Sequence, residues 1–299
     1  MAHPSHKSRQ APPPPEVVEG AWLLKAFAVV VIAALLCTYA TLCILFSKSQ
    51  WQLVLHPVQT SEGGSPKDLI HFGAGDTGQP QLTGEWLPAS TSSGYNHLTV
   101  LFLSGGDGTR KDFAETQAAL RNLGLNVFTF DYRGYGSSAK IHPSQLRMLE
   151  DAETAWKYLT GTREIPGRSI LPYGVGVGAS LATSLALEHN EIAAVMLDSP
   201  YCDLRDVFRH NPKFRFLPVG LLFHEDFPLT APLSSLSTPK LLLSHKPSRE
   251  VAAYDSAAAP KITAAVSASS GPQFEGAVRQ LLDQYVAVSS SAPAATTTR

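Results

Sequence analysis

Short apolar runs alternate with amphipathic segments through the middle of the chain, and this alternation constrains the fold more than any other feature. Leu98–Leu103 has the sequence LTVLFL, which is typical of a strand buried on both faces. Asp112–Leu123 follows with apolar residues at helical spacing. The pattern predicts further strands at Leu125–Phe130, Ser169–Tyr173, Ile192–Leu197, Lys240–Leu243 and Ile262–Val266, and further helices at Leu146–Leu159, Val177–His189 and Phe274–Val286. Strands and helices in this order predict an α/β fold with a mostly parallel sheet and helices on both faces.

An uncharged apolar segment, residues 26–46, precedes this alternation. It is long enough to cross the hydrocarbon core of a bilayer as a helix, and Lys25 and Lys48 flank it. A cleaved signal peptide would have a shorter apolar stretch and a small-residue cleavage site. The sequence therefore favours an uncleaved transmembrane anchor over residues 21–48.

The anchor divides the chain into regions of different composition. Residues 1–20 are polar and proline-rich, and residues 288–299 are of low complexity, so we expect both ends to be disordered. Residues 51–287 are left as one domain. More basic residues precede the anchor than closely follow it, which weakly favours a cytoplasmic N-terminus. The sequence thus predicts a single-pass protein of the cell membrane with its C-terminal domain outside the cytoplasm.

Charge and cysteine content argue against several function classes. The formal net charge is −1 and no basic stripe stands out, so we expect no nucleic-acid binding. The three cysteines form neither a disulfide framework nor a zinc-ligand spacing. Adjacent residues rarely point at one ion, so the run His224-Glu225-Asp226 favours a solvated loop over a metal site. We expect neither a cofactor nor a metal.

Several stretches resemble the α/β-hydrolase superfamily, in particular its membrane-anchored lipases and esterases and their bacterial relatives. LFLSGGDGTRKDF resembles the family's strand and oxyanion loop, which usually begins with His-Gly-Asn, and FDYRGYGSS matches the turn after strand four. HPSQLRMLEDAETAWKYL and VMLDSPYCDLRDV resemble the next helix and the end of strand six. The resemblance covers Trp51–Val286 and implies an α/β-hydrolase fold with a short lid.

The nucleophile position of that family is occupied by glycine. Serine hydrolysis in this fold uses a serine on a sharp strand-to-helix turn, usually G-x-S-x-G. After the predicted strand Ser169–Tyr173, the sequence is Gly174-Val175-Gly176-Val177-Gly178, so Gly176 stands where the serine is expected. Such a turn strains a non-glycine residue, whereas glycine adopts the conformation without a Cβ clash. Loss of the serine is therefore compatible with the fold.

The resemblance also places the acid and the base of the triad on residues without the required chemistry. Ser248 aligns with the acid, with Val251 fixing the register, and Pro272 aligns with the histidine. No histidine occurs after His245. Since the histidine must accept the serine proton, we predict a degenerate triad and a pseudoenzyme.

Two other interpretations remain open. Gly174-x-Gly176-x-x-Ala179 also fits a dinucleotide-binding fingerprint, with Asp198 as its acidic residue, although that fingerprint normally opens its domain.

The second alternative is an active carboxylester or lipid hydrolase with a relocated triad. Ser180 lies in GASLA, a possible G-x-S-x-A elbow, and Ser104 replaces a family histidine in the oxyanion loop. The bases that could reach the pocket are His142, His224 and His245.

The oxyanion loop suggests what the domain could still bind. We expect its backbone N–H groups, together with that of Val177, to form a donor cluster for a carbonyl or carboxylate. The predicted pocket residues are Ser104, Gly105, Gly106 and Val177. The sequence is thus consistent with a scaffold that binds an acyl, lipid-like or peptide ligand, or a protein partner, without turning it over, and also with a retained scaffold that binds none of these.

Overall fold

The computed structural model describes residues 20–60, 69–75, 78–245 and 251–286. The predicted acid position Ser248 and the predicted disordered tail lie outside the described residues, as does the predicted disordered N-terminus except for Gly20. The chain divides into two compact units, Met1–Phe46 and Ser47–Arg299.

The apolar segment forms one long helix. Helix α1 extends over Gly20–Ser49 and contains the whole predicted anchor. At 1.5 Å per residue it is about 45 Å long, against about 30 Å for the hydrocarbon core of a bilayer. Its apolar side chains are largely exposed. By length and composition, α1 is able to cross a membrane.

Within the described residues, the second unit contains a main sheet of eight strands and a small parallel sheet in which His56–Pro57 pairs with Asp107–Gly108. The strands of the main sheet are numbered in chain order. They are β1 (Leu69–Ala74), β2 (Pro80–Leu87), β3 (Thr99–Leu103), β4 (Asn126–Asp131), β5 (Ile170–Val175), β6 (Val195–Asp198), β7 (Lys240–Ser244) and β8 (Lys261–Ala265). Their order is β8-β7-β6-β5-β3-β4-β2-β1. Strand β2 pairs antiparallel with both neighbours, and the other pairs are parallel. The predicted mostly parallel sheet is confirmed.

Helices connect the strands much as predicted. They are α2 (Ala114–Asn122), α3 (Gln145–Lys157), α4 (Gly178–Glu188), α5 (Leu204–Arg209), α6 (Val219–Leu222), α7 (Thr230–Ser235), α8 (Val251–Ser256) and α9 (Pro272–Leu281). The helix predicted from Asp112 begins instead as a 3-10 turn, and only its later part is α2. Between β6 and β7, the short helices α5, α6 and α7 form the predicted short lid.

The central strands are buried on both faces, which explains their continuous apolar sequences. Every residue of β3 is buried. Val100 and Phe102 join a core cluster with Leu120 of α2 and Phe274 of α9. Their neighbours in the strand point to the opposite face, as alternation requires, and are equally buried.

Proline 172 is accommodated in a central strand of this sheet. It lies in β5 opposite Leu101 of β3. The ladder between β5 and β6 begins one residue later, at Tyr173. Pro172, which has no N–H, therefore lies before the first residue that pairs with β6, so its missing donor does not interrupt the β5–β6 ladder.

Candidate functional site

A tight turn joins β5 to α4 at the carboxyl edge of the sheet. Gly176 lies in this turn with φ +56°, in the left-handed region that favours glycine. Its N–H donates to the carbonyl oxygen of Asp198 at the end of β6, with an N···O distance of 3.0 Å. Its own carbonyl accepts from the N–H of Ala179 at 3.2 Å. A strand, a turn at positive φ and a helix in this order form a nucleophile elbow.

Packing requires the glycines on either side of Gly176. A Cβ added at Gly174 would lie 2.2 Å from the carbonyl oxygen of Gly178, and one added at Gly178 would lie 2.2 Å from the carbonyl oxygen of Leu103. At Gly176 the nearest atom to an added Cβ is the Cα of Gly105, at 3.6 Å, which is an ordinary contact. The elbow therefore retains room for a Cβ at its middle position, and glycine places no side chain there.

The loop after β3 faces this elbow. The carbonyl of Ser104 accepts from the hydroxyl of Tyr132 at 3.3 Å, and the carbonyl of Gly106 accepts from the hydroxyl of Tyr135 at 2.9 Å. A Cβ on Gly106 would come within 3.4 Å of a methyl group of Val177, so the loop and the elbow lie close together. The residues brought together are Ser104, Gly105, Gly106, Gly176 and Val177.

The two serines considered as relocated nucleophiles are both buried. Ser180 lies in the first turn of α4, and its hydroxyl donates to the carbonyl of Pro228 at 2.7 Å. Ser180 is thus a structural contact between α4 and the lid backbone. Ser104, at the base of the oxyanion loop, is 5% exposed.

Two of the three histidines considered as bases make contacts with the segment that follows α1. The ring of His142 packs on that of Trp51, with centroids 5.1 Å apart. The backbone N–H of His224 donates to the side-chain oxygen of Gln50 at 2.7 Å. These contacts hold structural elements together.

The predicted base position lies at the start of the last helix. Pro272 is the first residue of α9, and Gly271 before it has φ +83°. Proline suits the first position of a helix because its missing N–H would have no intrahelical partner there. Pro272 therefore has a local structural role.

Sequence reasoning named His245 as a possible base but did not group it with Asp198 and Ser269, with which it forms a partly buried polar cluster at the carboxyl ends of β6 and β7. Nε2 of His245 lies 2.9 Å from a carboxylate oxygen of Asp198 and 3.0 Å from Oγ of Ser269. Asp198 also accepts from the hydroxyl of Ser199 at 2.9 Å and from that of Tyr173 at 2.5 Å. Asp198 and His245 stand at or just after strand ends, a signal available from the sequence. Nothing in the sequence distinguishes Ser269 from the serines beside it.

These residue types match a serine triad, but their arrangement does not. A triad histidine uses one nitrogen toward the serine and the other toward the carboxylate. In this cluster Nε2 of His245 faces both groups. A nitrogen that donates its proton to Asp198 has no lone pair left to accept the proton of Ser269. The observed geometry holds the imidazole between two acceptors and does not activate a hydroxyl.

Tyr173 is the remaining member of the polar cluster, and its hydroxyl donates to Asp198. Burial raises the pKa of its phenol well above the usual value, and the adjacent charge of Asp198 raises it further. Tyr173 therefore stays protonated and donates to the carboxylate, which helps to satisfy a fully buried Asp198.

Comparison with known proteins assigns this architecture. Residues 95–293, which include the elbow, the lid and the polar cluster, match the family model described as serine aminopeptidase, S33. The chain belongs to this family of α/β hydrolases. Its elbow, oxyanion loop and lid can accordingly be named by their positions in that fold.

Individual relatives agree with the family. The chain is 31% identical over 228 residues to uncharacterized protein Rv2307c of Mycobacterium tuberculosis, covering 74% of this chain and 76% of the relative. It is 31% identical over 143 residues to lysophosphatidylserine lipase ABHD12 of Danio rerio, covering 45% of this chain and 36% of the lipase. Among solved structures, an esterase of Pyrococcus furiosus superposes with a TM-score of 0.57 at 20% identity, covering 78% of this chain and 97% of the esterase. This last likeness concerns the fold.

The α/β-hydrolase fold explains Gly174 and Gly176 without a bound dinucleotide. Gly174 lies in β5, the fifth strand of the eight-stranded sheet in chain order, and Gly176 directly follows that strand. The dinucleotide fingerprint instead follows the first strand of a doubly wound domain. Gly174 is required by its approach to the backbone of Gly178, and Gly176 has the positive φ of the elbow.

Proposed function

We propose that this α/β hydrolase is anchored in the cell membrane by α1 and does not hydrolyse esters, acting instead as a scaffold that binds a ligand or partner. The observation that carries the proposal is Gly176 at the middle of the elbow, with φ +56°. A glycine there supplies no hydroxyl, and covalent catalysis by this fold begins with a hydroxyl at that position.

The backbone around the elbow supports a binding role. The oxyanion loop lies close to the elbow, since a Cβ added at Gly106 would be 3.4 Å from Val177 and one added at Gly176 would be 3.6 Å from the Cα of Gly105. Backbone N–H groups arranged in this way stabilise a carbonyl or carboxylate oxygen whether or not a nucleophile is present. An acyl or lipid-like ligand fits this chemistry, and a relative that is itself a lipase supports that class over a peptide or a protein partner.

The anchor is proposed from α1 alone. The helix is long and apolar enough to span a bilayer, and Lys25 and Lys48 flank its apolar part. The basic residues before the helix favour a cytoplasmic N-terminus and a domain outside the cytoplasm.

One observation favours a second candidate function, ester hydrolysis by a displaced nucleophile. Ser269, His245 and Asp198 form a continuous chain of contacts of 3.0 Å and 2.9 Å. A rotation of the imidazole that moved one nitrogen to each partner would give the hydrogen-bond pattern of a serine triad. The use of a single nitrogen for both contacts makes this the weaker candidate.

A fluorophosphonate probe separates the two functions, because it labels a serine only when that serine is activated. We expect the full chain, purified in detergent, to stay unlabelled under conditions that label an active serine esterase. Labelling that disappears in Ser269→Ala but persists in Ser180→Ala would instead establish the displaced triad. Binding is measured in parallel by the thermal shift that fatty acids or lysophospholipids produce in the unlabelled protein. The absence of any thermal shift would contradict the proposed binding of an acyl or lipid-like ligand.

A further inference from the structure

Two apolar side chains on the lid are the most exposed large hydrophobic groups of the described residues outside α1. Leu221 is 75% exposed and Phe216 is 72% exposed. Both lie within residues 207–222, which we name the basic lid segment. Two exposed apolar side chains on one short segment make that segment a candidate site of interaction.

The basic lid segment presents these side chains from a packed base. The ring of Phe208 packs 4.8 Å from that of Phe223 and 5.4 Å from that of Phe214. Phe208, Phe223 and Val219 are all buried. Because the segment is fixed from within, the exposure of Phe216 and Leu221 is a property of the fold.

The charge of the segment is entirely positive. It contains Arg209, Lys213 and Arg215 and has no aspartate or glutamate. The guanidinium of Arg215 lies 4.4 Å from the centre of the Phe216 ring, so charge and apolar surface are side by side. Basic groups beside exposed apolar groups are typical of segments that lie in the interface of an anionic bilayer.

Hydrogen bonds fix one end of the segment to the residue that follows α1. Gln50 comes directly after Ser49, and its side chain is buried. Its amide nitrogen donates to the carbonyl of Leu222 at 3.1 Å, while its oxygen accepts from the N–H of His224 at 2.7 Å. The end of the basic lid segment is thus bonded to a residue that directly follows α1 in the chain.

We infer that the basic lid segment docks on the anionic lipid surface of the membrane that holds α1. Phe216 and Leu221 enter the region between headgroups and acyl chains, and the three basic side chains contact the lipid phosphates. This inference rests on the proposed membrane anchoring and adds a second lipid contact to it.

The test uses the full chain in nanodiscs made of phosphatidylcholine alone or mixed with phosphatidylglycerol. The native cysteines are replaced (Cys37→Ala, Cys43→Ala, Cys202→Ala), and Leu221→Cys is labelled with an environment-sensitive fluorophore. The matched control is Leu187→Cys, which is 41% exposed at the far end of α4 from the elbow. Nitroxide-bearing lipids in the nanodisc quench a fluorophore that reaches the acyl region.

We expect quenching at position 221 that is roughly twofold or more stronger with phosphatidylglycerol than without it, and little quenching at position 187. The triple variant Arg209→Gln, Lys213→Gln, Arg215→Gln should remove the dependence on phosphatidylglycerol. Equal signals at positions 221 and 187, or quenching that ignores lipid charge, would overturn the inference. Failure of the chain to elute with the nanodiscs would instead refute the anchor itself.

Discussion

The carbonyl oxygen of Asp198 accepts a hydrogen bond from the N–H of Gly176 at 3.0 Å, so a single residue belongs to both the elbow and the polar cluster. Its backbone holds the turn where a nucleophile would stand, and its carboxylate holds His245 and Tyr173. The elbow can therefore keep its shape without a catalytic serine, because its position depends on the sheet and on this shared residue.

Restoring the serine should cost stability and should not restore activity. Gly176→Ser places a Cβ at φ +56°, which we expect to lower the free energy of unfolding by about 1–3 kcal/mol. Ester turnover should stay at the background rate, because Pro272 supplies no base. Unfolding in detergent and p-nitrophenyl ester hydrolysis measure the two effects. Gly94→Ser is the control, since a Cβ there meets no atom within 4 Å. Measurable turnover in the Gly176 variant would mean that a base reaches the elbow.

The flanking glycine should be far less tolerant than the central one. In Gly178→Ala the new methyl group would lie 2.2 Å from the carbonyl oxygen of Leu103, and backbone atoms cannot move away without disturbing β3. We expect a loss of more than about 3 kcal/mol, or failure to fold. In Gly176→Ala the nearest atom is at 3.6 Å, so only the strain of positive φ remains. Thermal unfolding of the two variants should rank them in this order, and the reverse ranking would contradict the packing described for the elbow.

The sequence predicted a strand well where the strand is buried on both faces and poorly where it lies at the edge of the sheet. Every residue of β3 is buried, so its apolar sequence identified it. Strand β1 lies at the sheet edge and has only Phe72 buried, and its mixed sequence gave no comparable signal. The elbow was located by the resemblance to the α/β-hydrolase family, whose nucleophile position directly follows the strand predicted at Ser169–Tyr173.

The polar cluster was missed for a different reason. Ser269 reaches His245 only through the conformation of the loop between β8 and α9. The contact between Ser180 and Pro228 likewise depends on how the lid folds over α4. Contacts between residues distant in sequence, made by irregular segments, leave no periodic pattern to detect.

Loss of the buried charge at Asp198 should destabilise the domain more than loss of one of its donors. Asp198→Asn weakens charge-assisted bonds from Tyr173 and His245 at a fully buried site, so we expect a loss on the order of 2 kcal/mol. Ser199→Ala removes one bond of 2.9 Å from a half-buried hydroxyl and should cost about 1 kcal/mol. Chemical denaturation of both variants checks the ranking. Equal losses would show that the carboxylate charge contributes little.

The burial of Asp151, which forms an ion pair with Arg133, should make stability depend on pH in the mildly acidic range. Burial raises the pKa of Asp151 from 3.8 to about 6, although the bonds and the charge from Arg133 pull it downward. The folded state then binds a proton that the unfolded state releases between pH 3.8 and 6. This contribution is present in full below pH 3.8 and is lost as the pH rises through 6.

Asp151→Asn removes that titration, so the variant isolates it from the other carboxyl groups. Between pH 4 and pH 7, we expect the wild type to lose on the order of 2–3 kcal/mol of unfolding free energy relative to the variant. Denaturation at a series of pH values measures the shift. Glu150→Gln is the matched control, because Glu150 contacts the same arginine at 2.7 Å from an exposed position. If the difference for Asp151 stayed constant with pH, or changed in the opposite direction, then Arg133 and not burial would dominate that carboxyl group.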